Sequence, residues 1–158
     1  MRFDHIATHE PFILFEGAVI ERLRRLPGIR LDPHILHAGF VYDPQCRPHL
    51  AQIYRRYIEI GQHHDLPLVV LTPTWRANPE RVRRAGMAGR EVNQEGFRFL
   101  AALRDERGNY AGRISIGGLM GCRGDAYRPQ EALPRAQAHR FHSPQAAALA
   151  EAGVDLLM

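Results

Sequence analysis

A chain of 158 residues that is 45% hydrophobic and 24% charged has room for one domain with a sizeable core, which excludes a disordered tail. No run approaches the ~20 apolar residues of a membrane span, and MRFDHIATHEPF lacks the basic-then-apolar layout of a secretory leader, so a cytoplasmic protein is expected. The net charge of +4 comes from basic residues scattered among Glu and Asp rather than gathered in a patch, so no nucleic-acid surface is expected.

Phe12 to Phe15 form a short apolar run, Glu16-Gly17 follow, and Val19, Ile20, Leu23 and Leu26 recur at helical spacing until Pro27-Gly28. This predicts strand, turn, helix. After an irregular stretch from Pro33 to Pro44, Pro48 falls in the first turn of a predicted helix with Leu50, Ile53, Tyr54, Tyr57 and Ile58 as its apolar face. Gly61 is expected to stop that helix, with His63 and His64 just beyond it favoured by the helix dipole.

Leu66 to Leu71 read as a parallel strand buried on both faces, with Pro67 near its start. The loop from Thr72 to Pro79 leads to a short basic helix around Pro79 to Ala85. A longer helix is predicted from Glu91 to Arg107, with Val92, Phe99, Leu100 and Leu103 inward, and Gly108-Asn109 breaks it. Arg113 to Gly117 predict a third strand, followed by a glycine-rich segment from Gly118 to Tyr127 that is too long for a tight turn. Ser143-Pro144 have the form of a cap and first helical residue opening a helix through Ala152, which Gly153 ends. Val154 to Met158 begin a fourth strand.

Buried strands alternating with helices predict an α/β fold with a parallel sheet, whose right-handed crossovers bring the strand C-termini to one side. The segments beginning at Glu16, Thr72 and Gly117 are therefore expected to converge where ligands bind in such folds.

Several chemistries are excluded or left without support. All 21 basic residues are arginine, so Schiff-base and P-loop lysines are excluded. Cys46 and Cys122 read as free thiols without zinc spacing. The pairs His34/His37 and His139/His142 lack a nearby cysteine or a carboxylate at helical spacing, so no metal ligand is assigned.

Six segments in this order, FILFEGAVIERL, YRRYIEIG, LVVLTPTWRANP, VNQEGFRFL, SIGGLMGCRGDAY and H-x-x-Q-x-x-x-L-A-E-A-G-V-D-L-L, resemble homocysteine S-methyltransferase domains from about residue 11 onward. The resemblance implies a (β/α)8 TIM-barrel type of fold. Residues 1–158 would be a single domain supplying about the first four β/α units, the N-terminal half of the barrel. It implies transfer of a methyl group to a thiol such as homocysteine, as in methionine biosynthesis, with a small-molecule thiol and a methyl donor as partners. It further implies a zinc ion that turns the thiol into a thiolate, since coordination deprotonates a thiol that is mostly protonated at neutral pH. The zinc cysteines are expected beyond Met158, so no catalytic or metal-ligating residue is assigned here and the isolated chain is expected to be inactive.

Carried over by position, Glu16 and Gly17 match the acidic residue and glycine after strand 1, where a carboxylate meets the substrate amino group. A helix N-terminal acid favoured by the dipole is the alternative for Glu16. Thr72 and Thr74 match a T-x-T motif, with Trp75 and Arg76 beside them facing the pocket; the alternative is that the threonines only cap a turn. Gly117 and Gly118 match a glycine after strand 3, where backbone approaches a ligand or simply turns. Three departures stand out. Glu-Gly replaces the usual Asp-Gly, Val19-Ile20 stand about where many members carry Gly-Thr, and LMGCRGDAY replaces a loop containing serine and proline. Two further readings therefore stay open: a barrel enzyme of different chemistry, and a non-catalytic half barrel that self-associates through its open edge.

Overall fold

The computed structural model describes residues 3–158. Along them run α1 (Phe3–His9), β1 (Leu14–Phe15), α2 (Val19–Arg24), a 3-10 segment (Ala38–Tyr42), α3 (Cys46–His63), β2 (Leu68–Leu71), α4 (Pro79–Arg84), α5 (Val92–Asp105), a second 3-10 segment (Gly108–Arg113), β3 (Ile114–Gly118), a 3-10 turn (Pro129–Glu131), α6 (Arg135–Ala152) and β4 (Leu156–Leu157).

The four strands form one parallel sheet in the order β1-β2-β3-β4, without the reversal of strand order that marks a doubly wound sheet. Leu14 and Phe15 pair with Leu68 and Val69, and Leu68 to Leu71 with Ile114 to Gly117. Gly117 and Gly118 pair with Leu156 and Leu157. Side chains alternate across a strand, and Leu68, Val70, Ile114 and Ile116 all join one core with Leu23 of α2, Leu50, Tyr54 and Ile58 of α3, and Phe99, Leu100 and Leu103 of α5. The intervening Val69 and Ser115 are buried outside that cluster, on the opposite face. At the two sheet edges Phe15 and Leu157 remain partly exposed.

Three expectations need correction. Gly61 does not end its helix: α3 continues to His63. The reversal occurs at Asp65, whose φ is 49°, and the Leu66 and Asp65 amides donate back to the Gly61 and Gln62 carbonyls, an aspartyl version of the left-handed helix terminus. Gly61 instead leaves room for the Tyr110 hydroxyl, which donates to the Leu66 carbonyl at 2.6 Å. Ser143-Pro144 do not open a helix either. Pro144 lies inside α6, and the Ser143 hydroxyl donates to the His139 carbonyl at 2.7 Å rather than capping a helix start. Finally, β1 begins at Leu14, leaving Phe12 outside the sheet and largely exposed. The short basic helix expected around Pro79 to Ala85 is α4, and Asn78 caps it, its Oδ1 accepting the Arg81 N–H at 3.1 Å ahead of Pro79.

Candidate functional site

A cavity of about 350 Å³ opens at the C-terminal ends of β1 and β2, bounded by Glu16 and Gly17 after β1, Leu71, Thr72 and Trp75 at and after β2, Leu119 after β3, His37 from the loop before α3, Tyr54 from α3 and residues of α2. A larger depression of about 480 Å³ lies between α4 and α5, but none of the buried polar atoms that lack a partner lines it.

The Leu71 peptide ties three of these walls together. Its N–H donates to Glu16 Oε2 at 2.9 Å, and its carbonyl accepts the Tyr54 hydroxyl at 2.8 Å. Burial holds the Glu16 carboxyl well above the usual carboxylate range, opposed by the single Leu71 N–H, and among the described residues no arginine forms an ion pair with it. Burial, then the nearby Glu16 charge, pushes the Tyr54 phenol up in turn. Among the described residues the Glu16 carboxyl thus has no ion-pair partner, a costly arrangement unless it is protonated or meets a cation.

Thr72 and Thr74 are both fully buried, and their hydroxyls are committed within the chain. Thr74 Oγ1 donates to the Leu119 carbonyl at 2.9 Å, Thr72 Oγ1 lies 2.6 Å from Thr74 Oγ1 and accepts the Leu119 N–H at 3.0 Å. With the Thr74 proton given to Leu119, the hydrogen bond between the threonines runs from Thr72 to Thr74. The pair therefore stitches the loop after β2 to the loop after β3. Gln145 of α6 locks the same loop from behind, donating to the Thr74 carbonyl at 2.8 Å and to Asn93 Oδ1 at 3.1 Å, while Asn93 donates to the Ala77 carbonyl at 3.0 Å.

Of the residues expected to face a ligand, Glu16, Gly17, Thr72 and Trp75 share this cavity, while Thr74, Arg76, Gly117 and Gly118 lie outside its wall. Gly17 has close contact on the protein side, because a Cβ there would sit 2.6 Å from the Tyr57 hydroxyl. The spaces beside Gly117 and Gly118 are filled by Leu71 and Leu156, and by Leu157 and Leu149. Arg76 sits over the Trp75 ring at 5.0 Å, and a Cβ at Gly121 would sit 2.6 Å from that ring. Tyr127, in the long loop after β3, is 94% exposed.

Two cavity residues escaped the sequence reading. Tyr54 was legible only as one of the apolar residues on α3. His37 stood in a histidine pair considered for metal binding, yet it is 3% exposed, its Nδ1 has no hydrogen-bond partner, and burial lowers its pKa to about 4. No local spacing could have shown that the loop before α3 turns this imidazole toward Glu16's cavity.

The donor set for zinc does not fit. Among the described residues no group of three or more His, Cys, Asp or Glu is placed to hold a metal ion. Cys46 is partly buried at the start of α3, its thiol pushed up first by burial and then by Asp43, and Cys122 is exposed. No helix among the described residues is long and apolar enough to cross a membrane.

A parallel sheet in chain order, with Glu16, the threonine loop and the loop after β3 at one end, defines an α/β protein. The homocysteine S-methyltransferase family profile matches residues 13–158, and the chain belongs to that family. No curated protein and no solved structure gives a significant match.

Proposed function

We propose that the chain forms the amino-acid-binding part of a thiol methyltransferase, taking up homocysteine or a close analogue with its ammonium group against Glu16. The supporting observation is the buried Glu16 carboxyl, which lines the cavity and has no ion-pair partner among the described residues. A ligand ammonium would supply that balance and draw the carboxyl into its charged form, a charge-assisted contact stronger than a neutral hydrogen bond.

On this reading the chain's own residues bind and orient. The Leu71 peptide holds Glu16 in place, the Thr72–Thr74–Leu119 stitch fixes the loop that carries Trp75, and Trp75 covers the ligand from solvent. Zinc supplies a thiolate in the family's chemistry, and no group of residues placed to hold it occurs among the described residues. The sheet is read as a sector of a (β/α) barrel because its strands follow chain order with their loops at one end. A cytoplasmic setting belongs to the same proposal.

Trp75 is the chain's sole tryptophan and lines the cavity, so its fluorescence reports occupancy without any turnover. Titration with L-homocysteine at neutral pH should give a saturable change in emission, and Glu16→Gln should weaken it about ten- to a hundredfold, the range of a lost charged hydrogen bond. A wild-type chain whose emission ignores homocysteine, or a Glu16→Gln variant that binds equally well, overturns the proposal.

A further inference from the structure

Arg76 and Arg81, both only partly exposed, carry charges that no carboxylate among the described residues answers. Arg76 makes neither an ion pair nor a hydrogen bond with those residues, and its guanidinium rests over the Trp75 ring at 5.0 Å. Arg81 uses one N–H on a backbone carbonyl, its Nη2 donating to Arg123 at 2.8 Å. The acids nearby are engaged elsewhere: Glu80 pairs with Arg84, and Asp125 pairs with Arg128 at 3.6 Å while accepting the Tyr127 N–H at 3.0 Å. The two arginines also feel each other, since burial first and the Arg76 charge second hold the Arg81 guanidinium below its ordinary value. Like charges kept together in partly buried positions cost free energy that a bound anion would offset.

A recess lies beside them. It has a volume of about 90 Å³ and is bounded by Trp75 and Arg76 on one side and by residues of the loop after β3, Asp125 among them, on the other. Arg81 reaches the same loop through its bond to Arg123. Three loop residues that line the recess, Cys122, Gly124 and Ala126, have backbone amides without an acceptor among the described residues. Pockets for whole small molecules measure roughly 300–1,000 Å³, so this recess suits a single charged group. Trp75 lines it and the Glu16 cavity alike, so the two spaces share the indole as a wall.

We propose that this recess is an oxyanion site, separate from the Glu16 cavity, in which the Arg76 guanidinium, with Arg81 beside it, pairs with a carboxylate or phosphate group of a small-molecule ligand. An arginine fork offers two parallel N–H donors to either group. Asp125 does not oppose the anion as a free charge, because Arg128 is its partner. The site stands on Arg76 and Arg81 and is independent of what fills the Glu16 cavity, so its failure would leave the Glu16 reading as it was.

The test titrates inorganic phosphate and glutarate separately into the whole chain, at constant ionic strength made up with sodium chloride. Arg76 lies over Trp75, so indole emission reads the site, and calorimetric titration reads it independently of the indole. Wild type should saturate with at least one probe, and its thermal midpoint should rise with that probe's concentration, as a ligand of the folded state requires. Arg76→Gln should weaken binding about tenfold or more, and Arg81→Gln severalfold. Arg76→Lys should lose more affinity for glutarate than for phosphate, because lysine brings a point charge without the fork. Arg83→Gln removes an exposed charge from the same helix and should change binding by less than about twofold. The probe that wild type binds more tightly identifies the ligand's anionic group as a phosphate or a carboxylate.

Emission and midpoint that follow ionic strength alone overturn the proposal. So does binding that survives unchanged in Arg76→Gln, or a loss in Arg83→Gln equal to that in Arg76→Gln, which would describe a diffuse basic surface rather than a site.

Discussion

Glu16 Oε2 accepts the Leu71 N–H at 2.9 Å, where the next rung of the β1–β2 ladder would have offered a backbone carbonyl. The carboxylate therefore has two tasks, ending a strand pair and facing a cavity, and substitutions separate them. Glu16→Gln keeps an acceptor for Leu71 and should fold with a midpoint close to wild type. Glu16→Ala leaves the Leu71 amide without that partner and should cost about 1–3 kcal/mol. Denaturant unfolding of the two variants checks the difference.

The two buried titrating groups pull stability in opposite directions with pH. Burial raises the folded Glu16 carboxyl above its ordinary 4.5, so the folded state keeps a proton that the unfolded chain has released, and stability falls as pH rises from 4.5 through the folded value. Burial lowers His37 from 6.5 to about 4, so the unfolded chain takes up a proton that the folded state refuses, and stability falls as pH drops across that interval. Glu16→Gln should therefore gain on wild type as pH rises above 4.5. His37→Leu should gain as pH falls below 6.5, by up to about 3 kcal/mol near pH 4. Thermal midpoints recorded across this range decide both; parallel curves for all three proteins would refute the assignment.

The threonine stitch should matter to stability first. Thr74→Val removes the donor to the Leu119 carbonyl and the acceptor for Thr72, leaving buried groups unpaired, and should cost about 1–3 kcal/mol. Gln145→Leu breaks the bonds to Thr74 and Asn93 behind the same loop and should cost a similar amount. Because the two variants share one loop, their double mutant should lose less than the sum, which a double-mutant cycle measures.

Gly17→Ala should disturb the cavity rather than the core. Its Cβ would sit 2.6 Å from the Tyr57 hydroxyl, at the flexible end of an amphipathic side chain over which Arg22 lies at 5.2 Å. Tyr57 can shift, so the expected outcome is a modest fall in thermal midpoint with a larger fall in homocysteine affinity. A Gly17→Ala/Tyr57→Phe double variant should restore part of that affinity, as the clashing oxygen is gone.

Much of the fold was legible because its signals are local. The apolar run from Leu66 to Leu71, the short basic helix opening at Pro79, and the inward stripe of Phe99, Leu100 and Leu103 each announce an element by local composition or periodicity alone. The failures share a different cause. Gly61 and Pro144 carry strong stop and start signals, and tertiary packing overrode both: Tyr110 occupies the space beside Gly61, while α6 runs on either side of Pro144. At the cavity, Glu16 and Trp75 were named from the resemblance to the family, and the structure places both in its wall. His37 was not named, since its place in that wall comes from the packing of the loop before α3, which no local spacing shows.

Pro144 has one more consequence. With no amide proton at that position, the Arg140 carbonyl loses its usual helical donor, and α6 becomes two lengths joined in the middle. Both of its buried side chains, Gln145 and Leu149, belong to the second length. The first, from Arg135 to Ser143, is therefore the part free to fray: its amides should exchange with solvent early, and trypsin should cut at Arg135 and Arg140 while the half that braces the Thr74 loop stays closed.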